Sequence, residues 1–343
     1  MAQTTINFGE ILSADKETHV VVHNFPDPDA ISSAMGIVQL IKHLGFKPGN
    51  IYYTGEISHP QNKSMVTLLN ANLLCYEDDP FEDGSEVILV DTNNIGEESN
   101  QMLIDPKNVK ILAVIDHHKG KHPKGAKIDY RPVGSSAAIV WEYLKKAKFD
   151  FDSEEGKILS TALVTGIFTD TQSLMSDNIS NLDFEAYQFL LHKVDKQKLK
   201  SIMNFPLPTY LFELRQRAFL KENQRVDESV IIAGIGIINA SKRDALPIIA
   251  DELLRMNGIS TSIVFAIVDE NIDISVRSSD VTLDVGPFVQ SVFHSGGGKQ
   301  GAARATIPLG FFSMNGNDEL NSDIWEVAKK MVMNKVITAV KGD

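Results

Sequence analysis

Apolar runs that end abruptly on an imidazole or a carboxylate recur through the first third of the chain. Val20-Val21-Val22 leads into His23, Val87-Ile88-Leu89-Val90 into Asp91, and Ile111-Leu112-Ala113-Val114-Ile115 into Asp116. Unbroken runs of this length predict buried parallel strands. Residues 30–44 carry helical periodicity with Gly45 as the stop, and Asp29 sits at the helix start. Residues 50–55 read as a short strand, 135–148 as an amphipathic helix opening on Ser135-Ser136, and 159–168 as another helix. Strands alternating with helices predict an α/β fold with a parallel sheet.

A second set of elements follows a break. Residues 195–223 are helix-prone but interrupted by Asn204-Phe205-Pro206-Leu207-Pro208, where two prolines end the pattern. Beyond it, 229–238 is strand-like, 242–256 is an amphipathic helix ending at Gly258, and 261–278 forms two strands around Asp269-Glu270-Asn271. A short helix over 286–293 precedes a glycine-rich segment. The expected organisation is a first domain over 1–194, a helical connector over 195–225 and a second α/β domain over 226–343.

A length of 343 residues with 43% hydrophobic content suits two cores. The single cysteine, Cys75, lies in the apolar stretch Asn72-Leu73-Leu74-Cys75-Tyr76 and is expected in the core. It excludes an intrachain disulfide framework and agrees with a reducing compartment. Residues 1–16 have no signal-like core, and no apolar run is long enough to span a bilayer, so the expectation is a cytoplasmic protein without a membrane partner. A net charge of -12 argues against a grip on duplex nucleic acid and points to a small substrate. The stretch Glu77-Asp78-Asp79-Pro80-Phe81-Glu82-Asp83 is expected to be a solvated loop.

The chemistry sits where the strands end. His23, Asp27 and Asp29, then Asp91, then Asp116-His117-His118, mark the exits of successive strands, and Asp170 follows a helix. In open α/β sheets the carboxyl ends of strands form the binding crevice. Carboxylates with a minority of imidazoles suit ions such as Mn²⁺, and two such ions clamp phosphoryl oxygens and activate water. Asp27, Asp29, Asp91 and Asp170 brought together would repel one another unless cations were present. Pro26-Asp27-Pro28-Asp29 also reads as a turn and a helix start, where backbone N–H groups would favour a phosphate.

These segments, in this order, resemble the DHH phosphoesterases, named for the triplet Asp116-His117-His118. Ser275-Val276-Arg277-Ser278-Ser279 and Gly296-Gly297-Gly298 resemble the DHH-associated C-terminal domain. The resemblance implies an N-terminal, mainly parallel sheet flanked by helices, a smaller C-terminal α/β domain, and an active site in the cleft between them. It implies one metal ion on His23, Asp27 and Asp91 and a second on Asp29, Asp91, His117 and Asp170, with Asp91 bridging. Both ions would be Mn²⁺, with Mg²⁺ or Co²⁺ as alternatives. His118 would face the substrate and donate a proton to the leaving group, and Asp116 would support the loop or the histidines.

The same resemblance assigns substrate contacts to Arg277, Ser278, Gly296, Gly297, Gly298, Lys299 and Arg304. Lys299 and Arg304 depart from the pattern, since many relatives carry histidine after the glycines and glycine after the paired alanines. His294 is not at the usual histidine position and is expected at the surface. The branch most resembled is that of nano-RNases and pAp phosphatases, implying a small nucleotide or short single-stranded oligonucleotide as substrate. The alternatives are a cyclic-dinucleotide phosphodiesterase, an inorganic pyrophosphatase or exopolyphosphatase, and a nucleotide-binding regulator without turnover. The sequence leaves the oligomeric state open.

Overall fold

The computed structural model describes residues 5–76, 80–93, 109–299, 301–312 and 318–341; Glu77, Asp78, Asp79 and the side chain of Lys299 lie outside the described residues. The chain divides into two units, Met1–Pro206 and Leu207–Asp343.

In the first unit a short helix α1 (Phe8–Ile11) precedes β1 (Glu17–Val21), α2 (Pro28–His43), β2 (Lys47–Tyr53), α3 (Pro60–Leu69) and β3 (Leu73–Cys75). Then come β4 (Ser85–Val90), β5 (Val109–Asp116) and β6 (Lys127–Tyr130), followed by α4 (Ser136–Lys146), α5 (Glu154–Asp170), α6 (Asn181–Leu191) and α7 (Lys196–Met203). The strands form one parallel sheet in the order β3-β2-β1-β4-β5-β6. The chain winds outward from β1 to β3 and then restarts on the other side with β4. The gap above β1 and β4 is therefore a topological switch point, where open α/β sheets hold ligands.

Both faces of the central strands are covered, which is why their sequences lack alternation. Val20, Ile88, Val90, Ala113 and Ile115 enter the core built with α2, α4 and α5, while Val21, Val87, Leu89 and Val114 pack with Tyr76 and Phe81 on the opposite face. Phe81 is thus buried, unlike the solvated loop expected around it. Cys75 corrects the sequence reading: it is exposed at the end of the three-residue edge strand β3, with its thiol 3.0 Å from the Gly55 carbonyl oxygen it donates to.

The second unit runs α8 (Thr209–Phe219), β7 (Gln224–Asp227), β8 (Val230–Ile238), α9 (Ala245–Leu253), β9 (Thr261–Val268) and β10 (Asn271–Ser278), then α10 (Val285–Phe293), β11 (Gly297–Lys299), β12 (Ala302–Pro308) and α11 (Asp318–Lys341). Its sheet, β11-β12-β10-β9-β8-β7, is antiparallel except for the parallel pair β8 and β9. Helices α8 and α9 cover one face; α10 and α11 cover the other. The segment expected as a connector is shared out: α7 packs on α3 and α5, and α8 packs on β8. Among the described residues no helix is long and apolar enough to cross a membrane.

The glycine-rich segment is a hairpin, with Gly297 opposite Arg304, Gly298 opposite Ala303 and Gly301 at φ +78° in the turn. A Cβ at Gly298 would stand 2.3 Å from the Ala302 carbonyl oxygen, so the hairpin's own close approach requires glycine there.

One helix contact places the site. Gly166 lets α5 lie against the first turn of α2, where a Cβ would come within 2.3 Å of Ser32 Oγ and 3.0 Å of the Pro28 carbonyl oxygen. Gly166→Ala is expected to destabilise the first unit by about 1–3 kcal/mol through overpacking, read as a lowered urea midpoint. Helix propensity alone would stabilise it by about 1 kcal/mol, so a raised midpoint would show that α2 can retreat at no cost.

Candidate metal centre

The turn after β1 delivers His23 and Asp27, and Asp27 caps α2. Its Oδ1 accepts from the backbone N–H of Asp29 at 2.9 Å and of Ala30 at 3.0 Å. This corrects the expectation that those donors would favour a substrate phosphate, because the Asp27 carboxylate already occupies them. Asp29, in the first turn of α2, is fully buried. Its Oδ2 accepts from Ser136 N at 2.7 Å and its Oδ1 from Ala137 N at 2.8 Å, the first turn of α4.

Asp91 leaves β4 with φ +56°, a left-handed conformation that is strained for a residue other than glycine. Its N–H donates to the Ile115 carbonyl at 2.9 Å, and its Oδ1 accepts from Ser136 Oγ at 2.9 Å. His117 follows β5 and donates from Nδ1 to the Val133 carbonyl at 3.0 Å; His23 donates from Nδ1 to the Asn24 carbonyl at 2.7 Å. A carbonyl can only accept, so in each neutral ring Nε2 carries a lone pair facing inward.

Those lone pairs meet carboxylates. His23 Nε2 lies 3.5 Å from Asp91 Oδ2 and 3.9 Å from Asp27 Oδ1. His117 Nε2 lies 3.4 Å from Asp91 Oδ1, 3.2 Å from Asp170 Oδ2 and 3.8 Å from Asp29 Oδ2. His23, Asp27 and Asp91 form one group and Asp29, His117 and Asp170 another, each within 4.8 Å, while the two oxygens of Asp91 face the two histidines. His117 Nε2 is buried without a hydrogen-bond partner. An acceptor enclosed by acceptors calls for a cation, and these separations fit donors sharing an ion at bonds of about 2.0–2.2 Å. The donor set therefore fits two divalent ions held on the expected residues.

Electrostatics point the same way. Burial, and then the charges of Asp91, Asp170 and Asp27, hold the Asp29 carboxyl well above the usual carboxylate range. Burial opposes charge on His23, but hydrogen bonds and attraction from Asp27 and Asp91 outweigh it and raise its affinity for a proton. Burial likewise opposes ionisation of Asp27, yet His23 and the α2 N–H groups hold it below its ordinary value. In the metal-free chain, His23 and Asp29 thus have a raised affinity for protons at the positions where the cations would be held.

His118 is half exposed, with Nδ1 2.9 Å from Asp116 Oδ1 and 3.6 Å from Asp91 Oδ1. The bond to Asp116 raises its proton affinity, against burial and with help from Asp91. Asp116 is buried and also accepts from His118 N at 3.1 Å and, on Oδ2, from Asn93 Nδ2 at 2.8 Å. Asp116 therefore orients His118 with Nε2 turned away from it.

The substrate-binding candidates of the second unit are only partly brought together. Arg277, Gly297, Gly298 and Arg304 line a cavity of about 300 Å³ with Arg243, Leu246, Pro247, Ile274, Ala302 and Ala303. Ser278 is turned to Thr261 and the Ser260 carbonyl, and neither it nor Gly296 lines the cavity. Arg277 pairs with Asp251, whereas Arg243 and Arg304 share the buried Asp273. His294 ends α10 in a left-handed conformation and is exposed.

Sequence reasoning missed Arg243, Asn93, Val133 and Ser136. The sequence places both serines at the start of this helix; Ser135 caps α4 while Ser136 reaches Asp91. Its signal was the paired serines at a helix start.

A model of the DHH family N-terminal domain matches residues 17–167, and a model of the DHHA1 domain matches residues 227–330. An uncharacterized protein of Methanocaldococcus jannaschii is 37% identical over 93% of this chain and 63% of its own length. A probable manganese-dependent inorganic pyrophosphatase of Staphylococcus epidermidis is 28% identical over 58% of this chain and 59% of its own. The chain thus spans about three-fifths of the length of these curated relatives. The crystal structure of an exopolyphosphatase-related protein from Bacteroides fragilis shares the fold, with a TM-score of 0.60 over 94% of each chain at 15% identity. With both domain models matched in order, one on each unit, the chain carries a DHH family N-terminal domain followed by a DHHA1 domain.

Proposed function

We propose that this chain is a phosphohydrolase dependent on two divalent ions, Mn²⁺ foremost, that cleaves phosphoester bonds in short nucleotides. The observation that carries the metal-dependent part is the buried, unpartnered Nε2 of His117 set among three carboxylates. When bound, the ions would supply positive charge for phosphoryl oxygens and acidify a water molecule. Asp91 holds both histidine-containing groups in register. His118, whose affinity for a proton Asp116 raises, has Nε2 free of that bond to deliver a proton to the leaving oxygen.

Support for a nucleotide comes from the cavity of the DHHA1 unit. Leu246, Pro247, Ile274, Ala302 and Ala303 give it apolar surface beside Arg243, Arg277 and Arg304. A base or sugar next to a phosphate matches that pairing; inorganic pyrophosphate has no apolar part. The runner-up is a pyrophosphatase, favoured by the naming of the Staphylococcus relatives.

A panel of pAp, di- and pentaadenylate, cyclic di-AMP, pyrophosphate and polyphosphate, with Mn²⁺ and with chelator, tests the reading. Mn²⁺-restored turnover of the linear nucleotides is expected, and turnover of pyrophosphate alone would replace the nucleotide reading. Asp116→Asn should lower kcat/KM about 10–100-fold, the usual effect of removing a supporting group. Asp91→Asn should cost more, because it touches both histidines; equal losses in metal-saturated protein would overturn that ranking.

The shifts of Asp29 and His23 also set a pH dependence. Both groups bind protons more tightly in the folded, metal-free chain than when unfolded, so their stabilising effect is present at low pH and lost as pH rises. Metal ions must displace these protons. The rise in Tm on adding Mn²⁺ should therefore grow between pH 6 and pH 8, and a flat difference by scanning fluorimetry would contradict it.

A further inference from the structure

The segment Lys119-Gly120-Lys121-His122-Pro123-Lys124-Gly125-Ala126-Lys127 follows directly on His118, and it carries four lysines and no acidic residue in a chain of net charge -12. All four lysines are exposed. Some lysines elsewhere pair with carboxylates, as Lys42 does with Glu155, Lys110 with Glu86 and Lys193 with Asp152, while others, Lys196, Lys330 and Lys335 among them, stand apart from any described carboxylate. Lys119, Lys121, Lys124 and Lys127 make no ion pair with any described residue. Four lysines in nine residues, with no acidic residue among them and no carboxylate partner among the described residues, form a local positive field against a net negative background.

The start of this loop is fixed to the metal centre. Asn93, two residues beyond Asp91, donates from Nδ2 to the His118 carbonyl at 3.0 Å as well as to Asp116. Gly120 lies so close that a Cβ there would stand 2.6 Å from Asn93 Oδ1. At up to about 3.6 Å per residue, Lys121 has its Cα within roughly 11 Å of that of His118. The field thus begins beside the proton-donating histidine. Two divalent ions would only cancel the charge of Asp27, Asp29, Asp91 and Asp170, so the lysines add the positive excess that a polyanion would meet there.

Resting on the phosphohydrolase reading above, we propose that loop 119–127 binds the non-reacting phosphates of a substrate that carries several. The recognised chemistry is a chain of phosphates, in an oligonucleotide or an inorganic polyphosphate. Lysines suit the task as point charges on flexible stems that read no base.

The test compares Lys119→Gln/Lys121→Gln/Lys124→Gln with Lys196→Gln/Lys330→Gln/Lys335→Gln, which removes the same charge elsewhere. For the loop variant, kcat/KM for pentaadenylate or tripolyphosphate, divided by that for the singly charged bis(p-nitrophenyl) phosphate, should fall at least about tenfold, and the control should keep the wild-type ratio. Loss confined to pentaadenylate identifies an oligonucleotide source; loss confined to tripolyphosphate identifies an inorganic one. Independently, anisotropy of fluorescein-labelled phosphorothioate pentaadenylate should show the slope of log Kd against log salt falling by about 2, at about 0.7 per lost contact on a single strand. Loop and control variants that behave alike in both measurements overturn the proposal, as does wild-type binding without salt dependence. If wild-type protein with Mn²⁺ cleaves none of the substrates, the phosphohydrolase reading falls, and the anisotropy slopes still decide the loop.

Discussion

A carboxylate taken out of water must keep a proton or be given partners, and the treatment of Asp29 organises the rest of the first unit. Two backbone N–H groups from the first turn of α4 hold its two oxygens, across a separation of 107 and 108 residues in sequence. The partial positive charge of a helix N-terminus, often spent on a bound anion, is spent here on a side chain. That turn is itself braced. Asp183 accepts from Gly134 N and Ser135 Oγ, and Arg131 is clamped between Asp129 and Glu142. The same short segment supplies the Val133 carbonyl that sets the tautomer of His117, so one turn positions ligands from three separate elements.

Asp91 shows what the sheet contributes. It emerges at the switch point beside β1, and its left-handed backbone aims one carboxylate oxygen at each histidine. Such a conformation costs of order 1–3 kcal/mol and persists because the Ile115 carbonyl and Ser136 hydroxyl hold it. Turned the other way, the side chain would serve one group or neither.

The strand exits were legible because period and chemistry coincide: an apolar run identifies the strand, and the residue that ends it must lie at the sheet's rim. His23, Asp91 and His117 are of this kind. Asp170 was not legible from pattern, since its arrival depends on the notch that Gly166 makes in α5 against α2. Ser136 and Val133 were hidden for a different reason: they act through a backbone carbonyl, a backbone N–H and a hydroxyl at a helix start, and ordinary caps look the same in sequence. In the second unit the glycine run carries no strand signal in sequence, because strands seldom contain three glycines, yet the hairpin's tight approach admits little else at Gly298. The exposed thiol of Cys75 was misjudged because an apolar stretch three residues long can be an edge strand with one side in water.

That edge strand carries an experimental consequence. Cys75 pairs in register with Tyr53, and Tyr52 with Val21, so the thiol stands level with Val22, the residue before His23. Two strand spacings of about 4.8 Å separate β3 from β1, which sets Cys75 roughly 10 Å from the sheet's rim at the exit of β1, the strand that leads to His23. As the chain's sole cysteine it accepts one thiol-reactive fluorophore at one defined place. A paramagnetic ion arriving at that rim would quench the dye, so metal occupancy becomes an optical signal readable without any substrate.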